Sequence, residues 1–304
     1  MDFSAEIRHE DLDYRWDSTV VMVVFLGFTI LRLALNFLVF GRKGPVKGNV
    51  TIGDRLMEEV WLGTISMFLV GWSWAAISRN KVGCSVLNTH ACIKGWPDIT
   101  LTREIELLMV VEGGWYAHQL SRDALGVGMP MERDLFIHHI ATVGLILTGM
   151  LKNLVILGIL MLALFNTSSP FMHIAKIAYN LDMRRLRVVL FALFAGVFFV
   201  TRVVMLPVSI LKCMMIDAQK ENVALFGWWL FYLGNALMHV LYFLQLVWMY
   251  RIIRVLWRGK TGSTPRANRS GVKSSPFHNK DGVNGGSTNG EPVNGGQHNG
   301  KKDN

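Results

Sequence analysis

A chain of 304 residues that is 51% hydrophobic and 17% charged, with Trp 10 and Phe 17, is too apolar and too segmented for a soluble globule. Its net charge of +9 sits at the ends of apolar runs and in the C-terminal tail, where it sets membrane orientation, so nucleic acid is not an expected partner. Three cysteines without a C-x-x-C pair exclude a disulfide framework and give no zinc signature.

The apolar runs predict an all-α polytopic membrane protein with about seven transmembrane helices. Residues 1–18 are acidic and lack the basic start of a cleavable signal, so they are expected to be retained as a lumenal N-terminus. The first span, Thr19 to Phe40, is long enough at about 1.5 Å per residue to cross roughly 30 Å of hydrocarbon. Arg42, Lys43 and Lys47 follow it, which places the loop up to residue 56 in the cytosol. A second span runs from Met57 to Ile77 and closes on Arg79 and Lys81. The loop after it, to about Thr102, would be lumenal, where Cys84 and Cys92 either pair or remain two thiols. The third span, Glu104 to Leu120, carries Glu112, Tyr116 and Gln119 on one face with His118 beside it; Arg122 and Arg133 bracket its cytosolic turn.

The fourth span, Asp134 to Leu151, holds the pair His138-His139. Lys152 and Asn153 turn the chain into the fifth, Leu154 to Leu181, where Asn166, Ser169, His173, Lys176 and Asn180 recur at helical spacing and predict one polar face. Arg184, Arg185 and Arg187 end it. The sixth span, Val188 to Leu211, contains Arg202 and Pro207. The seventh, Leu225 to Leu256, contains Asn235, His239, Tyr242 and Gln245 and ends in Arg251, Arg254, Arg258 and Lys260. Residues 57–258 therefore read as a six-helix domain preceded by one extra span. Residues 259–304 are rich in Gly, Asn and Ser and predict a disordered cytosolic tail. The tail ends in Lys301-Lys302-Asp303-Asn304, which resembles the dilysine signal read by a retrieval receptor and predicts a multi-pass protein of the endoplasmic reticulum membrane. The acceptor sequences at Asn49, Asn166 and Asn268 fall in the cytosol or within a span, predicting no glycosylation.

Ionisable groups within spans mark interiors and sites, because facing lipid costs them too much. Glu112, Arg202, His239 and the Asn166 stripe thus predict a polar cavity lined by spans three to seven. His138 and His139 lie just inside the cytosolic end of their span, where an imidazole can exchange protons near neutral pH or act as a nucleophile. The bland alternative is a histidine pair that only hydrogen-bonds between helices. No metal is expected, since histidine-box oxidases need repeated H-x-x-H-H or H-x-x-x-H spacing and the remaining histidines here are isolated.

In order, ERDLFIHHIAT, Gly158, FNTSSPFMHIAKIAYN, FAGVFFVTRVVMLPVSIL and GWWLFYL through LQLVWMYRIIRVLWRGK resemble the TLC-domain membrane proteins. Trp96-Pro97 matches an aromatic-Pro pair before the third span, and within the family the likeness is strongest to the ceramide synthases. The resemblance implies a TLC-type helical barrel and N-acylation of a sphingoid base by acyl-CoA as co-substrate, with no bound cofactor. It implies catalytic roles for His138 and His139, with Thr142, Ala175, Lys176 and Arg202 matching further family positions. Arg122, Arg133, Arg184, Arg185 and Arg187 would meet CoA phosphates or simply anchor the spans. Membrane lipids and a homo- or hetero-dimeric partner are the further associations implied. Asn166 stands where ceramide synthases show Asp, and an amide supplies only a neutral hydrogen bond. That residue and the run Ser168-Ser169-Pro170-Phe171 keep a second reading open, a non-catalytic TLC protein that binds lipid and adjusts membrane composition. A transporter would show matching half-helices in two repeats, and none is visible.

Overall fold

The computed structural model describes residues 6–7, 14–40, 51–80, 82–223 and 227–260. Arg42, Lys43, Lys47, Asn49 and Lys81, the acceptor at Asn268 and the tail with Lys301-Lys302 lie outside them. Two residues, β1 (Glu6–Ile7), pair antiparallel with β2 (Leu101–Thr102). All other regular structure is helical: α1 (Tyr14–Phe40), α2 (Ile52–Arg79), α3 (Arg103–Leu125), α4 (Arg133–Leu151), α5 (Val155–Asn166), α6 (Ser169–Asn180), α7 (Arg184–Phe198), the single turn α8 (Ala218–Lys220) and α9 (Trp228–Lys260). Three π-helical stretches, Phe199–Met205, Pro207–Leu211 and Cys213–Asp217, carry α7 on to α8. Pro207 sits inside that run, where its missing N–H removes one α-helical bond.

Local chemistry explains the boundaries. Helix α2 begins well before the expected Met57 because Thr51 caps it: the Thr51 hydroxyl accepts from the Asp54 N–H at 3.2 Å while Asp54 accepts the Thr51 N–H at 2.9 Å. The fifth span is one apolar run, Val155–Asn180, but two helices. It breaks between Asn166 and Ser169, with Pro170 in the first turn of α6, where a ring without an N–H is tolerated.

Among the described residues, six helical stretches are long and apolar enough to cross a membrane: Ser18–Val39, Ile52–Arg79, Arg133–Leu151, Val155–Asn180, Arg184–Lys220 and Trp228–Trp257. Helix α3 is long enough at 23 residues but carries Arg103, Glu104, Glu106, Glu112 and Arg122, so composition alone would not place it in lipid. Packing resolves this, because α1, α2, α4 and α5 surround it. Its first turn meets Arg79 at the end of α2 through Glu104, and its last is followed by the Val127 carbonyl, which accepts from Arg32 Nε at 3.2 Å and Asn36 Nδ2 at 3.1 Å in α1. It therefore runs the length of the bundle like its neighbours.

Connections gather at two ends. One holds the Cys84–Cys92 disulfide, a His90–Glu221 contact at 2.9 Å and the α4–α5 turn, where Asn153 donates to the Pro97 carbonyl at 2.7 Å. Lys152 there donates to the Val223 carbonyl at 3.1 Å over the Trp96 ring, and burial lowers its pKa. The other end gathers the starts of α2, α4 and α7 and the ends of α3, α6 and α9, with most of the exposed arginines. Between them, neighbours run α3, α4, α9, the π segment with α7, α6, α2 and back to α3. Helix α5 lies within this ring, against α2, α3, α4 and the π segment. It is apolar on every side and almost wholly buried, as a helix with no polar face must be.

A buried ion cluster locks α1, α2 and α3. Glu58 accepts from Arg32 at 2.6 Å and from Arg122 at 2.5 Å, with all three side chains under 10% exposed. Gly114 lets α1 approach α3 so closely that an added Cβ would stand 2.6 Å from Val24 Cγ1. Replacing Glu58 by Ala leaves two buried guanidinium groups without their carboxylate and is expected to cost about 3–5 kcal/mol. A thermal unfolding midpoint in detergent that falls by less than a few degrees would contradict this.

Candidate active site

Because α5 occupies only the disulfide half of the ring, its last residues, Phe165 and Asn166, end among the wall helices. Polar side chains from α3, α4, α6, the π segment and α9 meet there. Asn166 is gripped from α3: the Tyr116 hydroxyl donates to its Oδ1 at 3.0 Å, and its Nδ2 lies 3.4 Å from both oxygens of Glu112. Glu112 and Tyr116 are one helical turn apart and fully or almost fully buried. The amide therefore bridges a phenol and a carboxylate, a role that needs both a donor and an acceptor.

Arg202 approaches from the π segment. It donates to the Phe165 carbonyl, to Ser169 Oγ at 3.2 Å and to Gln245 Oε1 at 3.1 Å, and its guanidinium carbon lies 4.9 Å from the Phe198 ring centroid. The Phe165 carbonyl is one that the α5–α6 break leaves without an ordinary helical partner, and a cation at a helix C-terminus is favourable.

The histidine pair enters from α4, one turn past Asp134. His138 is 5% exposed, and its ring lies 5.7 Å from Phe165 and 5.2 Å from Trp248 of α9. His139, about 100° round the helix, turns toward α3 and lies 5.4 Å from the Tyr116 ring. The two imidazoles are 5.5 Å apart. Thr142 donates to the His138 carbonyl at 2.8 Å, so its hydroxyl serves the helix backbone. Both Nδ1 atoms are buried and have no hydrogen-bond partner among the described residues. Such a pair can accept or pass a proton, or attack an electrophile, without first breaking a protein hydrogen bond at that atom.

The sequence-based candidates divide. His138, His139, Glu112, Asn166, Ser169 and Arg202 come together. His173 and Lys176 do not join them, because the break at Thr167-Ser168 interrupts the single helix that the three-four spacing assumed. They bind Glu59 of α2 instead, at 2.7 Å for His173 Nδ1 and 3.3 Å for Lys176 Nζ. Gly63, one turn past Glu59, makes room for His173, whose Cβ would lie 3.1 Å from an added glycine Cβ. His239 is a correction: it is exposed, and its Nδ1 contacts only the Asn235 carbonyl at 2.8 Å. Met238, Leu241 and Gln245 form the inward stripe of α9, and His239 points about 100° away from it.

Arg122 is a second correction, since it is buried on Glu58 rather than free at the rim. Arg133, Arg184 and Arg185 are exposed at the end nearest the histidines, and Arg187 lies 3.9 Å from Asp182 and over the Tyr179 ring. Five participants escaped the sequence reading of the site: Asp134, Trp248, Arg251, Glu58 and Glu59. The paired carboxylates at the start of an apolar span were a legible signal; Trp248, one tryptophan among ten, was not. Among the described residues no three His, Cys, Asp or Glu side chains converge as metal ligands.

A TLC-domain family model matches residues 55–254. Human ceramide synthase 5 is 32% identical over 142 residues, 46% of this chain and 36% of that protein. Human ceramide synthase 4 is 26% identical over 236 residues, 74% of this chain and 56% of that protein. Arabidopsis thaliana ceramide synthase LOH2 is 27% identical over 280 residues, 83% of this chain and 92% of that protein. The chain thus spans about half or less of the length of the mammalian relatives and most of the plant one. The family match covers most of the chain and coincides with the apolar helices, so this protein belongs to the TLC-domain family and is a ceramide-synthase-like multi-pass membrane protein.

Proposed function

We propose that the protein is an acyl-CoA-dependent N-acyltransferase of the ceramide-synthase type, acting on a sphingoid base in the endoplasmic reticulum membrane. The observation that carries the proposal is the buried histidine pair, with both Nδ1 atoms unpartnered, beside an immobilised guanidinium and within a ring of membrane helices. A thioester and a long-chain amine both partition to such a site from the bilayer, and neither needs a metal to react.

In this reading the amine nitrogen attacks the thioester carbon, the carbon–sulfur bond breaks, and an amide and CoA thiol result. One histidine takes the amine proton and returns it to the leaving sulfur, or its nitrogen carries the acyl group between two displacements. Arg202, held on three acceptors, offers a fixed positive charge to the oxyanion that forms on the carbonyl. Arg133, Arg184 and Arg185 are exposed where CoA phosphates would lie; Arg122 is committed to Glu58 and drops out of this set. The tail dilysine and its retrieval receptor belong to the same proposal, as does association with a second TLC-domain chain.

A second reading, lipid binding without catalysis, is favoured by one observation. Asn166 is bonded to Tyr116 and Glu112, and among the described residues no carboxylate hydrogen-bonds either histidine Nδ1. The two readings part on N-acylation. With a sphingoid base and a series of acyl-CoAs, in membranes lacking other ceramide synthases, the parent is expected to form ceramide. His138→Ala and His139→Ala are each expected to lower the rate by roughly 10²-fold or more. Folded parent protein that forms no product with any acyl-CoA would select the lipid-binding reading.

A charge-reversal pair, Arg184→Glu with Arg185→Glu, is expected to raise KM for acyl-CoA about tenfold at low salt with kcat little changed, and less so at high salt, since exposed charges are screened. Equal loss at all ionic strengths would remove these arginines from the CoA site.

A further inference from the structure

Every hydrogen bond near His138 goes to something other than its ring. Its carbonyl is held by Thr142, while Nδ1 has no partner, so no polar contact at that atom fixes the imidazole about its second torsion. What fixes it is ring packing. Phe165 stands edge-on at 89° from the floor, His139 stands at 67° from the same helix, and Trp248 leans on it at 54° from α9. Phe165 is held by Arg202, whose guanidinium carbon lies 5.8 Å from its ring centroid, and Trp248 is held through its ring nitrogen by a carboxylate. Trp248 Nε1 donates to Asp134 Oδ2 at 2.8 Å, and the same oxygen accepts from Arg251 Nη1 at 2.5 Å.

Asp134 lies one turn before His138 on α4, and Arg251 lies three residues after Trp248 on α9. The four side chains therefore close a circuit between two helices: carboxylate to indole, indole to imidazole, and α4 backbone back to carboxylate. Asp134 is 21% exposed and Arg251 54% exposed, so the circuit runs from the solvent-accessible end of the bundle to a buried ring. A tryptophan that only cemented α4 to α9 would need neither the indole N–H bond nor contact with the histidine.

We propose that Trp248 is a positioning residue for His138, held in place by Asp134 and Arg251, and that it sets the orientation in which the imidazole meets the acyl carbon. The kinetic part of this rests on the acyltransferase reading; the positioning part does not.

The test uses full-length protein in nanodiscs with Trp248→Phe, which keeps a ring but removes the N–H, and Asp134→Asn, which keeps an oxygen but removes the charge. Both are expected to lower kcat roughly tenfold or more while KM for either substrate stays within about twofold. The double variant is expected to be no slower than the worse single one, because both changes break one circuit. Thermal midpoints are expected to stay near that of the parent.

A second readout needs no enzymatic activity: the rate of carbethoxylation of His138 by diethyl pyrocarbonate, followed by mass spectrometry. It is expected to rise several-fold in Trp248→Phe and further in Trp248→Ala, with His90, whose side chain is 41% exposed at the disulfide end, as the internal control. A faster His138 reaction in protein whose parent does not acylate would uphold the positioning role and sink the acyltransferase reading. An unchanged His138 rate would overturn the positioning role whatever the kinetics. Lost thermal stability with kcat unchanged would reduce the circuit to helix cement.

Discussion

The interaction on which the rest of the architecture depends is the bond from Arg202 to the Phe165 carbonyl. A helix broken within a membrane exposes main-chain carbonyls that lipid cannot satisfy, and each unsatisfied group costs several kcal/mol. Arg202 donates to that carbonyl, to Ser169 and to Gln245, and so ties α5, α6, the π segment and α9 at one point. With the break made tolerable, α5 can stand inside the ring while α6 joins the wall. The polar side chains around Asn166 and Ser169 meet because of that step. The guanidinium that permits it also lies over the Phe165 ring that packs against His138, so the residue that stabilises the break also shapes the surroundings of the histidine.

Around this point the polar groups sort into separate circuits. Glu58 neutralises Arg32 and Arg122 and secures α1, the helix most exposed to lipid, to α2 and α3. Glu59, its neighbour on α2, turns to the other side and binds His173 and Lys176 of α6. Glu112 holds Asn166, and Asp134 holds Trp248 and Arg251. Each carboxylate has a committed hydrogen-bond partner from another helix, which is the condition for burying it. The histidine Nδ1 atoms are buried without partners among the described residues, as are Ser168 Oγ, Arg202 Nε and Gln245 Nε2 in the same region and several atoms elsewhere, and buried polar groups left unsatisfied call for an explanation.

Asn166 shows why a single substitution is read differently once the partners are known. As an isolated letter it stands for the loss of a carboxylate. In place, it accepts from Tyr116 and donates toward Glu112, and an ionised aspartate at the same position would set two carboxylates side by side. Asparagine is therefore the side chain that this pairing of α3 with α5 accommodates. The family to which the chain belongs includes proteins named ceramide synthase that match it over half or more of its length, so the chemistry of this corner bears directly on whether it acylates.

Much was legible in the residues alone. Apolar run lengths, the basic clusters between them and the cost of charge in lipid determined an all-α, multi-pass protein and the buried placement of Arg202 and Glu112, because these follow from transfer energies that act on each residue independently. The third expected span corresponds in position to α3, whose charged residues keep it out of the set of helices apolar enough to cross a membrane. What failed was phase. The stripe from Asn166 to Asn180 assumed an unbroken helix, and His239 was assigned inward without knowing which stripe of α9 faces the ring. The partnerships of Glu58, Glu59, Asp134 and Trp248, and the pairing of Cys84 with Cys92, were likewise decided only by the tertiary structure. The physical reason is that burial acts on one side chain at a time, whereas a hydrogen bond or a disulfide needs two groups at a set distance, and that distance is settled only when the helices pack.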